Sequence, residues 1–241
     1  MKNLSRRARR GANAPPSKRF APALLLFLFA ATAFPQVAEK ANSGYKTAEQ
    51  RANMAKTLGD PHRDAQQRPA ELVAGFNLKP GMTVADIGTG VGYLLPHLSK
   101  AVGAKGKVIG EDIFPDFLDK ARAKAKDEKL SNVTFVQGDV KDPKLQAGAV
   151  DFAVILDVYH HFDYPQDMLR ALAHALKSNG RIAIVEFHRK EGAMGRGGWA
   201  LEHLRLDQAG VIQEVEASGF KLVTVKDHIP DGQYVAIFEK R

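Results

Sequence analysis

Cysteine is absent from the 241-residue chain. Its absence excludes disulfides, thiolate metal sites, cysteine nucleophiles and iron–sulfur ligation, and it permits an oxidising compartment without requiring one. The apolar run at residues 21–34 is short, since a helix of this length spans about 21 Å against the ~30 Å hydrocarbon core of a bilayer. Acidic residues are missing from the first 38 positions.

The basic charge of the chain is concentrated at its beginning. Of the 35 Lys and Arg residues, seven lie within the first 19 positions, and the others nearly balance the 27 acidic residues. The net charge of +8 is therefore no argument for nucleic-acid binding, and no nucleic-acid partner is expected.

A basic segment, a short apolar run and the small residues Ala31 and Ala33 form the pattern of a secretory signal. We expect cleavage near Ala33 or Ala38 and an exported protein. The alternative is an uncleaved anchor that associates the protein with a membrane through this apolar segment. Residues 1–38 are accordingly assigned as signal peptide or anchor, 39–65 as an N-terminal tether and helix, and 66–241 as the main domain.

Residues 84–93 (VADIGTGVGY) are the most informative segment. Apolar residues lead into Asp86, and glycines follow at every second position, which is typical of a buried strand that turns sharply into a helix. Glycine permits unusual backbone angles and lets a nucleotide approach the backbone closely. A dinucleotide-binding loop would place its third glycine at position 93, where this chain has Tyr93.

Apolar periodicity predicts an alternation of strands and helices after this segment. Predicted strands lie at 82–87, 106–112, 132–137, 150–156, 180–187, 220–228 and 234–239. Predicted helices lie at 66–76, 92–102, 115–128, 165–176 and 208–218. Strands separated by helices indicate a parallel sheet covered on both faces, in an α/β fold. The last two strands, joined by a short turn at residues 230–232, must pair antiparallel or lie in adjacent positions.

Three further acids lie at or just after predicted strand ends: Asp112, Asp139 and Asp157. Ligands of open α/β sheets bind at the carboxyl ends of the strands, so these acids should converge on one crevice with Asp86.

These segments together resemble the class I S-adenosylmethionine-dependent methyltransferases over residues 66–187, about half of the chain. The resemblance implies a Rossmann-like, seven-stranded, mostly parallel sheet in a three-layer αβα arrangement with an antiparallel last strand. It also implies S-adenosylmethionine as cofactor, with Asp112 at the ribose hydroxyls and Asp139 at the adenine. The cofactor-binding residues implied are Asp86, Gly88, Thr89, Gly90, Gly92, Asp112, Ile113, Asp139, Val140 and Asp157.

Two of these acids also have a structural interpretation. Asp112 could cap a helix, and Asp139 could stabilise its own turn. Glu111 is the neighbour that competes with Asp112, which we favour because residues 113–118 resemble the family's strand-to-helix segment.

His160 and His161 follow the fourth predicted strand, where a methyl acceptor would arrive. A histidine suits proton abstraction if the acceptor atom carries a proton of high pKa, so both are candidate catalytic bases. The alternative is that they shape the pocket, and His188 and His203 are weaker candidates. Metal-dependent O-methyltransferases carry Asp-Asn where this chain has Glu186 and Phe187, so no metal is expected.

The leading hypothesis is therefore a methyltransferase that acts on a small-molecule acceptor. One alternative is a non-catalytic module of the same fold that binds an adenosyl ligand. A nicotinamide-dependent oxidoreductase is a second alternative, which Tyr93 and the antiparallel ending disfavour.

Overall fold

A seven-stranded sheet organises the protein in the computed structural model, which describes residues 36–195 and 197–241. The strands are β1 (Thr83–Ile87), β2 (Lys107–Asp112), β3 (Val133–Gln137), β4 (Val150–Leu156), β5 (Leu176–Phe187), β6 (Phe220–Ile229) and β7 (Gln233–Lys240). The helices are α1 (Ala48–Leu58), α2 (Arg63–Gln67), α3 (Pro69–Gly75), α4 (Leu95–Val102), α5 (Pro115–Asp127), α6 (Pro165–Ala175), α7 (Trp199–His203) and α8 (Gln208–Ala217), with 3₁₀ helices at Ala41–Tyr45 and Tyr159–His161.

The strand order is β3-β2-β1-β4-β5-β7-β6. The pairs from β3 through β5 are parallel, whereas β7 runs antiparallel to both β5 and β6. The predicted mostly parallel sheet with an antiparallel last strand is thereby confirmed. Because the chain moves outward in opposite directions from the β1–β4 pair, a ligand crevice is expected at the carboxyl ends of these two strands.

Apolar side chains cover both faces of the sheet. Along β1, Ala85 and Ile87 belong to a cluster that includes residues of α6 and α8. Val84, the residue before Ala85, belongs to a second cluster that includes residues of α3 and α4. Alternate strand residues point to opposite faces, so the sheet is the middle of three layers, as predicted.

Local sequence signals set the helix starts. Three helices begin at a proline, Pro69, Pro115 and Pro165, whose fixed φ suits the first helical position. A reciprocal capping box between Thr47 and Gln50 starts α1.

The structure divides the helix predicted at 66–76 into α2 and α3. Arg68 separates them with φ of 41°, immediately before Pro69. A residue before proline is disfavoured in the α conformation, so the chain cannot continue one helix through this point.

Strand β5 begins four residues earlier than predicted, at Leu176, where that residue pairs with Val150 of β4. The pairing register of β4 and β5 shifts between Val150 and Phe152. This irregularity lets residues 177–180 lie within the strand rather than in a turn.

Residues 36–58 pack against the domain. Tyr45 stacks on Phe114 with ring centroids 6.1 Å apart, and Arg51 forms an ion pair of 2.8 Å with Asp116 of α5. The predicted signal segment at 1–38 lies largely outside the described residues. Within the part that the structure describes, no helix is long and apolar enough to cross a membrane.

Candidate functional site

A cavity of about 580 Å³ lies at the carboxyl ends of β1, β2 and β4. Its volume falls in the range of small-molecule sites. Nine of the twelve site residues predicted from the sequence line it: Asp86, Gly88, Thr89, Gly90, Asp112, Ile113, Val140, Asp157 and His161. The other three, Gly92, Asp139 and His160, do not line it.

The turn after β1 can be formed only by glycine at two positions. Gly88 has φ of 65°, and a Cβ there would lie 2.6 Å from Val158 Cγ1. Gly92 has φ of 82°, and a Cβ there would lie 2.8 Å from Leu95 Cδ1. Gly92 therefore serves the packing of the turn onto α4 rather than the cavity wall.

Asp86 is the acid of this turn. It is 3% exposed and accepts a 2.7 Å hydrogen bond from Thr89 Oγ1. Burial raises the pKa of Asp86 to about 7, while the hydrogen bond from Thr89 lowers it. The carboxyl group is thus held in a place that favours its neutral form unless a cation lies beside it.

Asp112 links the end of β2 to the glycine turn that follows β1. Its Oδ1 accepts from the backbone N–H of Phe114 at 2.9 Å, and its Oδ2 accepts from that of Gly90 at 2.9 Å. Burial raises the pKa of Asp112 to about 6, against the lowering effect of these backbone hydrogen bonds. Each oxygen keeps a further lone pair for a ligand hydroxyl.

Glu111, which competed with Asp112 in the sequence, lines the cavity together with it. It is 2% exposed, and Oε2 accepts a 3.3 Å hydrogen bond from the backbone N–H of Gly88. Oε1 is buried and has no hydrogen-bond partner among the described residues. Burial, and then the charge of Asp112, raise the pKa of Glu111 well above its usual value.

Asp157, with φ of 55°, is held by three side chains. It accepts hydrogen bonds from Gln67 Nε2 at 2.9 Å, Gln233 Nε2 at 2.6 Å and Arg63 Nη2 at 3.4 Å. Burial raises the pKa of Asp157 to about 7, and Glu186 adds to the effect.

The partners of Asp157 were missed in the sequence because they lie up to 94 residues away from it. Gln67 itself is buried and donates its hydrogen bond to Asp157 Oδ2.

Asp139 is not among the residues that line the cavity. Its Oδ1 accepts from the backbone N–H groups of Lys141 and Asp142 at 2.9 and 3.1 Å, and its Oδ2 lies 3.4 Å from Lys144 Nζ. The hydrogen bond from Lys141 lowers the pKa of Asp139. This arrangement is the turn-stabilising alternative considered for the residue, and only the neighbouring Val140 lines the cavity.

His160 and His161 have different surroundings. His160 Nδ1 lies 2.6 Å from Glu186 Oε2, and although burial lowers the pKa of His160, this carboxylate outweighs burial and raises it. His161 Nδ1 lies 2.9 Å from Asn42 Oδ1, and burial lowers the pKa of His161 well below its usual value. Of the predicted pair, the structure brings only His161 to the cavity wall.

Part of the remaining wall of the cavity is aromatic. Tyr45, Phe114 and Phe117 line it, and their ring centroids lie 5.7 to 6.2 Å apart. Phe114 and Phe117 are three residues apart at the start of α5, a spacing visible in the sequence. Tyr45 comes from the distant N-terminal segment and carried no such signal.

Comparison with known proteins assigns the chain to a family. Residues 78–228 match the family described as Methyltransferase domain. The ubiquinone/menaquinone biosynthesis C-methyltransferase UbiE of Idiomarina loihiensis is 32% identical over 117 residues, 48% of this chain and 47% of that protein. UbiE of Pseudomonas fluorescens is 28% identical over 189 residues, 77% of this chain and 70% of that protein.

Structural comparison agrees with the sequence comparison. A SAM-dependent methyltransferase from Aquifex aeolicus superimposes with a TM-score of 0.72 at 28% identity, covering 78% of this chain and 98% of that one. The chain spans about half the length of the curated relatives first matched. Because the family match covers more than half of the chain, the protein belongs to the methyltransferase domain family and shares the fold of S-adenosylmethionine-dependent methyltransferases.

Proposed function

We propose that the protein transfers a methyl group from S-adenosylmethionine to a small, ring-containing organic acceptor, and that both bind in the cavity described above. The observation that carries this proposal is the composition of the cavity. One side presents the glycine turn and buried acids, and the other presents aromatic rings.

The acidic side fits the cofactor. Both oxygens of Asp112 keep lone pairs for ribose hydroxyls, and Glu111 Oε1 is a buried acceptor that lacks a partner among the described residues. The cofactor carries a sulfonium and an amino group, and these positive charges would offset the cost of ionising Asp86, Glu111 and Asp112 in a buried place. When bound, S-adenosylmethionine supplies an electrophilic methyl group.

The protein's contribution to such a transfer is alignment and exclusion of water. Gln67, Gln233 and Arg63 fix Asp157 at the end of β4, so this part of the wall is rigid. The rings of Tyr45, Phe114 and Phe117 offer flat apolar surfaces against which a planar acceptor can stack.

A quinone-like ring is the acceptor class that these surfaces and the relatives favour. Two of the relatives are named C-methyltransferases of quinone biosynthesis, and their identity to this chain is about 30%. Apolar acceptors of this kind partition into membranes, which gives a reason for a leader that directs the protein to a membrane or beyond it.

For localisation, we propose export with cleavage after Ala33 or retention by the leader, rather than cleavage after Ala38. Ala38 is buried, and the backbone N–H of Val37 donates to the carbonyl of Asp163 at 3.0 Å. Cleavage after Ala38 would remove both contacts. N-terminal sequencing of the protein recovered from cell fractions distinguishes these cases.

The test of the activity is turnover. The full chain is incubated with S-adenosylmethionine and a panel of hydroquinones and phenols, and S-adenosylhomocysteine is quantified. We expect its release with at least one ring-containing acceptor and none with NADH as the only added cofactor. Adenosyl binding without turnover across the panel would support the non-catalytic alternative, and failure of a folded chain to bind any adenosyl ligand would overturn the proposal.

A further inference from the structure

Three histidines converge from two separate segments. His160 and His161 lie on the 3₁₀ helix Tyr159–His161, and His203 is the last residue of α7. One ring nitrogen from each of the three can be chosen so that all lie within 4.8 Å of one another. The ring of His160 lies 4.1 Å from that of His161 and 4.9 Å from that of His203, between centroids.

The Nδ1 side of the His160 ring contacts a carboxylate. Glu186 Oε2 lies 2.6 Å from His160 Nδ1, and both groups are buried. Glu186 Oε1 accepts from the backbone N–H of Phe187 at 2.8 Å, so both oxygens act as acceptors. His160 Nδ1 therefore carries the proton, and the lone pair of the neutral ring lies on Nε2.

The back of the His161 ring is held by an amide. Asn42 Nδ2 donates to the carbonyl of His161 at 3.0 Å and to Asp163 Oδ1 at 3.1 Å, which fixes the orientation of the amide. Asn42 Oδ1 then faces His161 Nδ1 at 2.9 Å and must accept from it. His161 Nε2 thus also presents a lone pair, and no described residue donates a hydrogen bond to Nε2 of either ring.

We propose that His160, His161 and His203 bind one divalent cation of borderline softness, with Zn²⁺ as the first ion to test. Neutral imidazoles oriented from behind by a carboxylate or an amide are the usual arrangement around zinc, whereas Mg²⁺ and Ca²⁺ prefer oxygen ligands. Three protein ligands leave a fourth position for water or a substrate atom.

The site stands at the edge of the cavity, since His161 belongs to its wall. Zinc with Zn–N bonds of ~2.0–2.1 Å places its nitrogen ligands roughly 3.4 Å apart, so the three rings draw together when the ion binds. His203 is partly exposed on a five-residue helix and stacks on Trp199, with centroids 4.8 Å apart, so it has the most room to move.

This assignment changes two expectations from the sequence, which predicted no metal and a proton-accepting role for His160 or His161. A ring nitrogen that binds an ion cannot accept a proton at the same time. No local pattern joins His203 to the other two histidines, because it lies 42 positions after His161.

The test is metal binding by the full, untagged chain after removal of metals with a chelator. Equilibrium dialysis against Zn²⁺ should give one tightly bound ion per chain, which excess Mg²⁺ does not displace. The visible spectrum of the Co²⁺-loaded protein should show the intense ligand-field bands of a four-coordinate site. His203→Phe, which keeps the stacking on Trp199, and His161→Ala should each lower the Zn²⁺ affinity at least 100-fold.

His174→Ala is the matched control, because His174 is exposed on α6, and it should bind Zn²⁺ as the wild type does. Glu186→Gln should weaken Zn²⁺ binding about 10- to 100-fold by disturbing the orientation of His160. Equal Zn²⁺ affinity in the wild type, His203→Phe and His161→Ala would overturn the assignment. So would a folded wild type with no stoichiometric site, or Co²⁺ bands typical of six oxygen ligands. Should His203→Phe fail to fold, the wild-type Co²⁺ spectrum and His161→Ala decide.

Discussion

The two sides of the cavity are built from different kinds of contact. On the side of β1 and β2, Asp86 bonds to Thr89 three residues away, and Asp112 bonds to Gly90 at a separation of 22. On the side of the 3₁₀ helix Tyr159–His161, Asn42 bonds to His161 across 119 residues. The first side is formed within one β–α–β unit of consecutive elements, whereas the second exists only in the complete fold.

This difference decides how each side responds to substitution. Changes on the β1–β2 side should remove adenosyl binding, because the backbone itself forms the wall there. Changes on the opposite side should alter the acceptor or the metal and leave adenosyl binding intact. Four predictions, ordered from the largest effect to the smallest, test this division.

Gly88→Ala should abolish adenosyl binding and destabilise the protein. The new Cβ would lie 2.6 Å from Val158 Cγ1 in a residue with φ of 65°. Isothermal titration with S-adenosylhomocysteine should show at least a ~100-fold loss of affinity, about 2.7 kcal/mol. Gly148→Ala is the control, since its φ of 61° imposes similar backbone strain of ~1–2 kcal/mol but no atom lies within 4 Å of its Cβ. Equal melting temperatures and equal affinities for the two variants would contradict the prediction.

Asp112→Ala should weaken S-adenosylhomocysteine binding by roughly 100-fold, because it removes the proposed acceptors of the ribose hydroxyls and each charged hydrogen bond contributes about 1.5–3 kcal/mol. Asp139→Ala should leave the affinity nearly unchanged, because the carboxylate of Asp139 bonds within its own turn. Equal losses of affinity in the two variants would contradict this expectation and support the adenine role that the family resemblance implies for Asp139.

Tyr45→Leu should raise the KM for a ring-containing acceptor about 10-fold, since a stacked ring contributes ~0.5–1.5 kcal/mol beyond its buried area. The dissociation constant of S-adenosylhomocysteine should change less than twofold. Tyr164→Leu serves as the control, because Tyr164 does not line the cavity. A loss of adenosyl affinity in Tyr45→Leu without a change in acceptor KM would contradict the prediction, because it would place Tyr45 on the adenosyl side of the cavity.

The ligand-free protein should lose stability as pH rises from about 4 to 7. Burial raises the pKa of Asp86 to about 7 and that of Asp112 to about 6, so folding favours their neutral forms. This contribution is complete below the unfolded-state pKa of 3.8 and is lost as pH rises through the folded-state values.

Thermal melts across this pH range provide the measurement, and Asp86→Asn should show a shallower decline than the wild type. Saturating S-adenosylmethionine should also flatten the decline, because its positive charges stabilise the ionised carboxylates. A wild type and an Asp86→Asn variant with parallel pH profiles would show that Asp86 does not titrate in this window.

The extent to which the sequence predicted the molecule follows the same division. Of the seven strands that the structure describes, all but β5 were predicted to within one residue at each end, because each is a short apolar or alternating run bounded by turn residues. The early start of β5 depends instead on the pairing of Leu176 with Val150 of β4. Asp86, Asp112 and Asp157 were placed at one crevice because strand ends meet at one edge of the sheet. Asp139 also follows a strand, but its carboxylate bonds within its own turn and does not line the cavity.

The rest could not be predicted because it depends on contacts between distant segments. Nothing local to Gln67 or Gln233 indicates that both bond to Asp157, at separations of 90 and 76 residues. Asn42 and Glu186 likewise acquire their roles behind the histidines only when the 3₁₀ helices and β5 are packed together.

Hydrogen–deuterium exchange of the full chain with and without S-adenosylhomocysteine tests the division of the cavity most directly. We expect the ligand to slow exchange in peptides covering residues 84–92 and 109–113 and to leave peptides covering the 3₁₀ helix Tyr159–His161 unchanged. Protection of that 3₁₀ helix without protection of residues 84–92 would contradict the division.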